Sequence, residues 1–168
     1  MTTETTKTVF ASLEHWQKGG VVPIADDPKI YAFSNVFEVA SKTRAWEKTA
    51  VAKNLKYVIE AIRAEGTSPW FAAAHDEFVL VMDGEVEVIL KKLAKPDVVP
   101  KNSEGTRRLK EDPDGKTMGR IRLRRGHMAM LPVGSAYQMR STRPGLCLLQ
   151  TIVGPETIER WSDICQTS

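Results

Sequence analysis

Pro69 to Leu90 read PWFAAAHDEFVLVMDGEVEVIL, and within them Asp83-Gly84 parts two β-rich runs, 78–82 and 85–90. An Asp-Gly pair between such runs predicts a two-residue type I′ hairpin, because both turn positions favour positive φ. Val86, Val88 and Leu90 alternate with Glu85, Glu87 and Ile89, the period-2 pattern of a half-buried strand. A second stretch, RRGHMAMLPVGSAYQM at 124–139, is punctuated by Arg125-Gly126 and by Pro132-Val133-Gly134-Ser135, which again predict short strands joined by turns.

The two stretches, in this order and at this spacing, resemble the two signature motifs of the cupin superfamily. Glu77 and Gly84 keep the spacing of the first motif, and Gly126, Pro132 and Gly134 that of the second. The histidines of the family's metal site do not survive. The paired positions of the first motif fall at Trp70 and Ala72, or at Phe71 and Ala73, and the histidine of the second motif is Tyr137. The resemblance covers roughly residues 57–152. It implies a mainly β chain, a single cupin-type β-barrel or jelly roll spanning 1–168, without the usual metal ligands.

Composition agrees with one globular domain. At 168 residues the chain is long enough for a substantial core. No apolar run approaches the ~20 residues of a membrane-spanning helix, and the N-terminus lacks a signal-type apolar core. Cys147 and Cys165 form no framework and no CxxC pair. These features lead us to expect a reduced, cytoplasmic protein with no membrane association. The net charge of +3 is too small to suggest a nucleic-acid partner. Arg107, Arg108 and Lys110, then Arg120, Arg122, Arg124 and Arg125, do cluster. Ile121 and Leu123 alternate with the second group, as on the solvated face of a strand, and no aromatic residues interleave to stack bases.

Along the chain, residues 1–8 read as disordered. VFASLEHWQK, 9–18, reads as a short helix stopped by Gly19-Gly20. Residues 21–56 fit either helix or strand–turn–strand, and a barrel context favours strands. YVIEAIRAE, 57–65, alternates and reads as the strand entering the first motif. Residues 91–119, rich in charge, proline and glycine, read as a long intermotif loop. Gly154-Pro155-Glu156 is expected to open a C-terminal helix.

The chain has three histidines, His15, His75 and His127. In an extended segment His75 shares a face with Glu77, so an improvised His75/Glu77 metal site, joined by His127, is one option. The plainer reading places His75 and His127 as polar turn and strand residues. Trp70 and Tyr137 either fill the old pocket with ring packing or line a cleft for an aromatic ligand. No G-x-S-x-G nucleophile motif, P-loop or dinucleotide loop is present.

A narrower likeness spans nearly the whole chain. YAFSNVFEVASKTRAWEKTAVAKNLKYVIEAIRAEGTSPWFAAAHDEFVLVMDGEVEVIL, 31–90, resembles the small subunit of two-component hydroquinone 1,2-dioxygenases. In that family two cupin-like subunits form a heterotetramer that cleaves hydroquinone to 4-hydroxymuconic semialdehyde, with non-haem iron in the large subunit. The likeness implies a chain with no cofactor and no catalytic or metal-binding residue of its own, partnered by a larger cupin subunit that holds Fe(II) and meets the phenolic substrate. Trp70, Ala72, His75, Glu77 and Tyr137 would then mark a vestigial pocket or a wall of the substrate channel. Two other readings remain. One is a free-standing, metal-free cupin that binds a small aromatic ligand. The other is a metalloenzyme built on His75 and Glu77.

Overall fold

The structure is a computed structural model that describes residues 10–26 and 34–161. Among the described residues, ten strands form one curled sheet, a half-barrel. They are β1 (Lys48–Asn54), β2 (Tyr57–Thr67), β3 (Phe71–Ala72), β4 (Glu77–Asp83), β5 (Glu85–Leu93), β6 (Arg107–Arg108), β7 (Gly115–Arg124), β8 (Met128–Leu131), β9 (Ser135–Ile152) and β10 (Thr157–Ile158). The 18-residue β9 organises the sheet. Its second half lies between β2 and β4, and its first half between β3 and β5.

Asp83-Gly84 is not a hairpin. The strands on either side of it do not pair with each other. β4 runs along residues 146–150 of β9, and β5 along residues 135–140. The chain therefore bends at a corner and continues, and β9 bends with it through 141–145. Gly84 does have the positive φ expected of it, +79°. The reason is close backbone approach as well as the bend, for a Cβ there would lie 3.1 Å from the Gly145 Cα. The predicted hairpin is therefore overturned, because the local sequence of an Asp-Gly turn does not decide whether the following strand folds back or crosses to another partner.

The inner face holds the main core, with Ile62, Phe71, Val79, Val81, Val86, Val88, Leu131, Tyr137, Met139 and Leu149. A second cluster lies on the outside, where Leu13, Trp16 and the helix α1 (Val36–Ser41) pack on Ala61, Leu146 and Leu148. Asn35 caps α1, its side-chain oxygen accepting from the Phe37 and Glu38 amides.

Four other expectations change. Residues 10–18 form no helix but a bent strap with a Ser12–His15 turn. So short a segment gains little from helix formation alone, and its apolar side chains serve as separate anchors. The stretch 21–56, for which a barrel context favours strands, contains the helix α1 as well as β1 among its described residues. The loop at 91–119 is shorter than it reads, since β5 extends to Leu93 and β7 begins at Gly115. Only a 3-10 turn at Pro96–Val98 and the short β6 interrupt the connection. Nor does a helix open at Gly154. Residues 154–157 make a turn, and β10 joins the sheet edge parallel to β1. The expected disorder at 1–8 lies outside the described residues, as does Cys165.

Candidate functional site: a buried polar cluster inside the half-barrel

Glu77 opens β4 with its side chain on the inner face, and its carboxylate is fully buried. Three hydroxyls donate to it: Thr106 at 2.5 Å, Thr151 at 2.6 Å and Tyr137 at 2.8 Å. Because Thr151 gives its proton to Glu77, the contact of His75 Nε2 with Thr151 Oγ1 at 3.0 Å has the imidazole as donor. A relay thus runs from His75 through Thr151 to Glu77. Burial, and then the neighbouring Glu77 carboxylate, push the Tyr137 phenol well above its ordinary value, so Tyr137 remains a neutral donor.

Across the interior, the inward faces of β1 and β2 bring two more ionisable groups. Lys48 is 2% exposed and Glu60 is fully buried. The Lys48 ammonium lies 4.5 Å from the centre of the Phe71 ring and 5.8 Å from that of Tyr137, and it makes no hydrogen bond among the described residues. Burial pushes its pKa down, and the carboxylates of Glu60, Glu77 and Glu156 pull it back up. Glu60 accepts from Thr157 at 2.6 Å, and Thr157 is itself held by the Gly154 amide at 3.0 Å. Burial raises the Glu60 carboxyl to about 7, against the pull of Lys48. Cys147 adjoins this interior, but burial pushes its thiol up to about 12, which leaves it an inert core residue.

The residues singled out from sequence separate into two groups. Tyr137, Glu77 and His75 join the cluster. Trp70, just before β3, and Ala72 within it do not, because they pack on the other side, with Val99 and Ala136, and the Lys91 ammonium lies 4.9 Å from the Trp70 ring centre. Their neighbour Phe71 faces inward instead and meets Tyr137 with ring centres 5.8 Å apart. His127 lies in the β7–β8 turn, its Nδ1 accepting from the Arg124 amide, and takes no part. Sequence reasoning missed Lys48, Glu60, Thr106, Thr151 and Thr157. Glu60 left a signal, for it stands among Val58, Ile62 and Ala64 on the inward phase of an alternating strand.

The side chains that touch Glu77 are two threonine hydroxyls and a neutral phenol, with His75 one hydroxyl removed, a set poor in metal ligands, and no group of three or more His, Cys, Asp or Glu residues suited to a metal occurs among the described residues. The clustered arginines are largely matched by acids. Arg124 pairs with Glu85 at 2.7 Å, Arg125 with Asp83 at 2.8 Å, and Arg108 with Glu156 at 3.3 Å, as expected of a solvated strand face. No helix among the described residues is long and apolar enough to cross a membrane.

No protein-family model matches the chain, and no curated protein sequence does. Solved structures do. A chain of hydroquinone 1,2-dioxygenase PnpCD, in complex with Cd2+ and 4-hydroxybenzonitrile, is 51% identical, with a TM-score of 0.92 over 99% of this chain and 100% of that one. A chain of hydroquinone 1,2-dioxygenase from Sphingomonas sp. TTNP3, with 4-hydroxybenzoate bound, is 52% identical, with a TM-score of 0.94 over 98% and 99%. This chain belongs to the hydroquinone 1,2-dioxygenase family. Its half-barrel is of the cupin type found there. A different, longer chain, from PnpCD in complex with Fe3+, shares the fold at 16% identity and a TM-score of 0.61, and this protein covers 40% of its length.

Proposed function

We propose that this protein is the iron-free small subunit of a hydroquinone ring-cleaving dioxygenase. Its partner is a longer cupin subunit, and together they convert hydroquinone and O2 to 4-hydroxymuconic semialdehyde as a heterotetramer in the cytoplasm. The observation that carries the proposal is the pair of matches at 51–52% identity, which run over 98–99% of this chain and 99–100% of the others. A fold relative more than twice as long occurs in the same PnpCD enzyme, a suitable candidate for the partner type. Fe(II) in that partner would supply the binding and activation of O2.

This chain's own residues suit a supporting role. Glu77 is fully buried and already accepts from three hydroxyls, so its carboxylate is engaged inside the protein and away from solvent. The outer face offers contact surface instead. Ile59, Phe78 and Met130 lie in one cross-strand row, with Met128 in the next, all between 39% and 62% exposed. A permanent partner covers apolar surface of this kind, and we expect a total interface above ~2,000 Å².

The test is hydroquinone-dependent O2 uptake by this chain alone, by the longer subunit alone and by the two co-expressed. Turnover only in the third sample is expected. Full turnover by the longer subunit alone would remove this chain from the reaction, and turnover by this chain alone would overturn its supporting role.

A further inference from the structure

Burying an ammonium without a hydrogen-bonding partner is costly, and a lysine in such a place ordinarily extends to the surface. Lys48 does not, although its strand lies near the sheet edge, beside β10. The two rings that hold its ammonium, Phe71 and Tyr137, are cross-strand neighbours on β3 and β9. Tyr137 in turn donates to Glu77. A cation and a carboxylate therefore share one small interior and are joined through one phenol. Glu77 keeps the one ligand-type position left of the cupin motif, and Phe71 and Tyr137 stand at or beside positions where that motif has histidines.

We propose that Lys48 is the resident cation of this half-barrel: its ammonium supplies the positive charge that balances the buried Glu77 carboxylate, and so closes the interior to metal ions. The groups facing it are Glu60 from β2, Glu77 from β4, Tyr137 and Cys147 from β9, and Glu156 from the turn before β10. Glu60 adds a second negative charge only above about pH 7. Phe71 and Tyr137 stabilise the ammonium through their ring faces, an interaction that strengthens when water is excluded. The proposal does not depend on which reaction the assembled enzyme performs.

The test is a double-mutant cycle on the full-length chain at pH 6, where Glu60 is mostly protonated. Lys48→Met keeps the linear shape and removes the charge, and Glu77→Gln removes the opposite one. Each single variant is expected to lower the melting temperature by on the order of 10 °C, and the double variant to recover more than half of that loss. Should the singles fail to fold, soluble, folded double variant is the supporting result. Additive losses, a Lys48→Met variant as stable as the parent, or a double variant as damaged as the singles would overturn the charge-balancing role. A second readout is Co(II) retained by the parent chain after dialysis from excess. We expect less than about a tenth of an ion per chain, and retention near one ion with Lys48 in place would refute the proposal.

Discussion

The two faces of one sheet carry the wrong side chains for an isolated barrel. On the inner face, the row that starts at Glu60 continues through Leu149, Val79 and Ala129, so a carboxyl lies in the core. On the outer face, one residue out of phase, the row runs Ile59, Gln150, Phe78 and Met130, so large apolar side chains meet solvent. The inner face carries polar groups; hydroxyls satisfy Glu77, while the Lys48 ammonium and one Glu60 oxygen are buried without a hydrogen bond among the described residues. The outer face has the character of a contact surface. The contrast teaches that this chain retains a site's architecture while its exposed chemistry is suited to association.

The corner at Gly84 sets both faces at once, so the largest effect is expected there. Gly84→Val puts a β-branched residue at φ +79°, with its Cβ 3.1 Å from the Gly145 backbone. A loss of about 4 kcal/mol or more is expected, with soluble yield, thermal stability and assembled activity falling together. Selective loss of activity in a stably folded variant would show that the corner serves chemistry rather than shape.

Glu60→Gln probes the inner face alone. The folded state holds the Glu60 proton up to about pH 7, against 4.5 as the ordinary value. Its contribution to stability is therefore full below about 4.5 and is lost as the pH rises through about 7. The glutamine variant should flatten the stability profile across that window. At pH 8 it should be more stable than the parent by up to about 3 kcal/mol. Denaturant midpoints from pH 4 to pH 8 measure this, and parallel profiles for the two proteins would deny the carboxyl its raised value.

Tyr137→Phe removes one of the three donors to Glu77 and leaves the ring in place. A loss of about 1–3 kcal/mol is expected, because the buried carboxylate keeps its other two hydroxyls. Urea unfolding of the chain alone reports it. No change would mean that the Tyr137 hydroxyl is dispensable to the cluster.

The frame was legible in the sequence because shape depends on residues with strong local preferences. Gly84, Gly126 and Gly134 all adopt positive φ, and Glu77 and Tyr137 meet where their motif positions place them. Strand partners were less legible. Asp83-Gly84 looks the same whether β5 folds back on β4 or crosses to the other half of β9, and only the long-range pairing with β9 decides. The histidine-free motif left two registers open for β3, and packing on Tyr137 selects Phe71 as the inward residue. Lys48 was hidden because a lysine in AWEKTAVAK reads as solvent-facing. Its burial depends on carboxylates 12 and 29 residues away in sequence, at Glu60 and Glu77.

Met130→Asp tests the outer face, and its effect on the chain itself should be the smallest. Met130 is 49% exposed on β8, and its cross-strand partner Phe78 is 39% exposed, so a carboxylate there remains hydrated and leaves the inner row untouched. The melting temperature of the isolated chain should move by no more than ~2 °C, in line with a surface change of about 0.5 kcal/mol. Capture of the longer subunit should weaken by tenfold or more, because a partner covering this row would bury an unpaired charge. Co-purification yield against a Lys116→Asp control on β7 separates a local effect from altered net charge. Equal capture by the parent and Met130→Asp would place the partner elsewhere and leave the exposed row as surface without that use. A large fall in stability would show instead that Met130 is held more tightly by its own sheet than its exposure indicates.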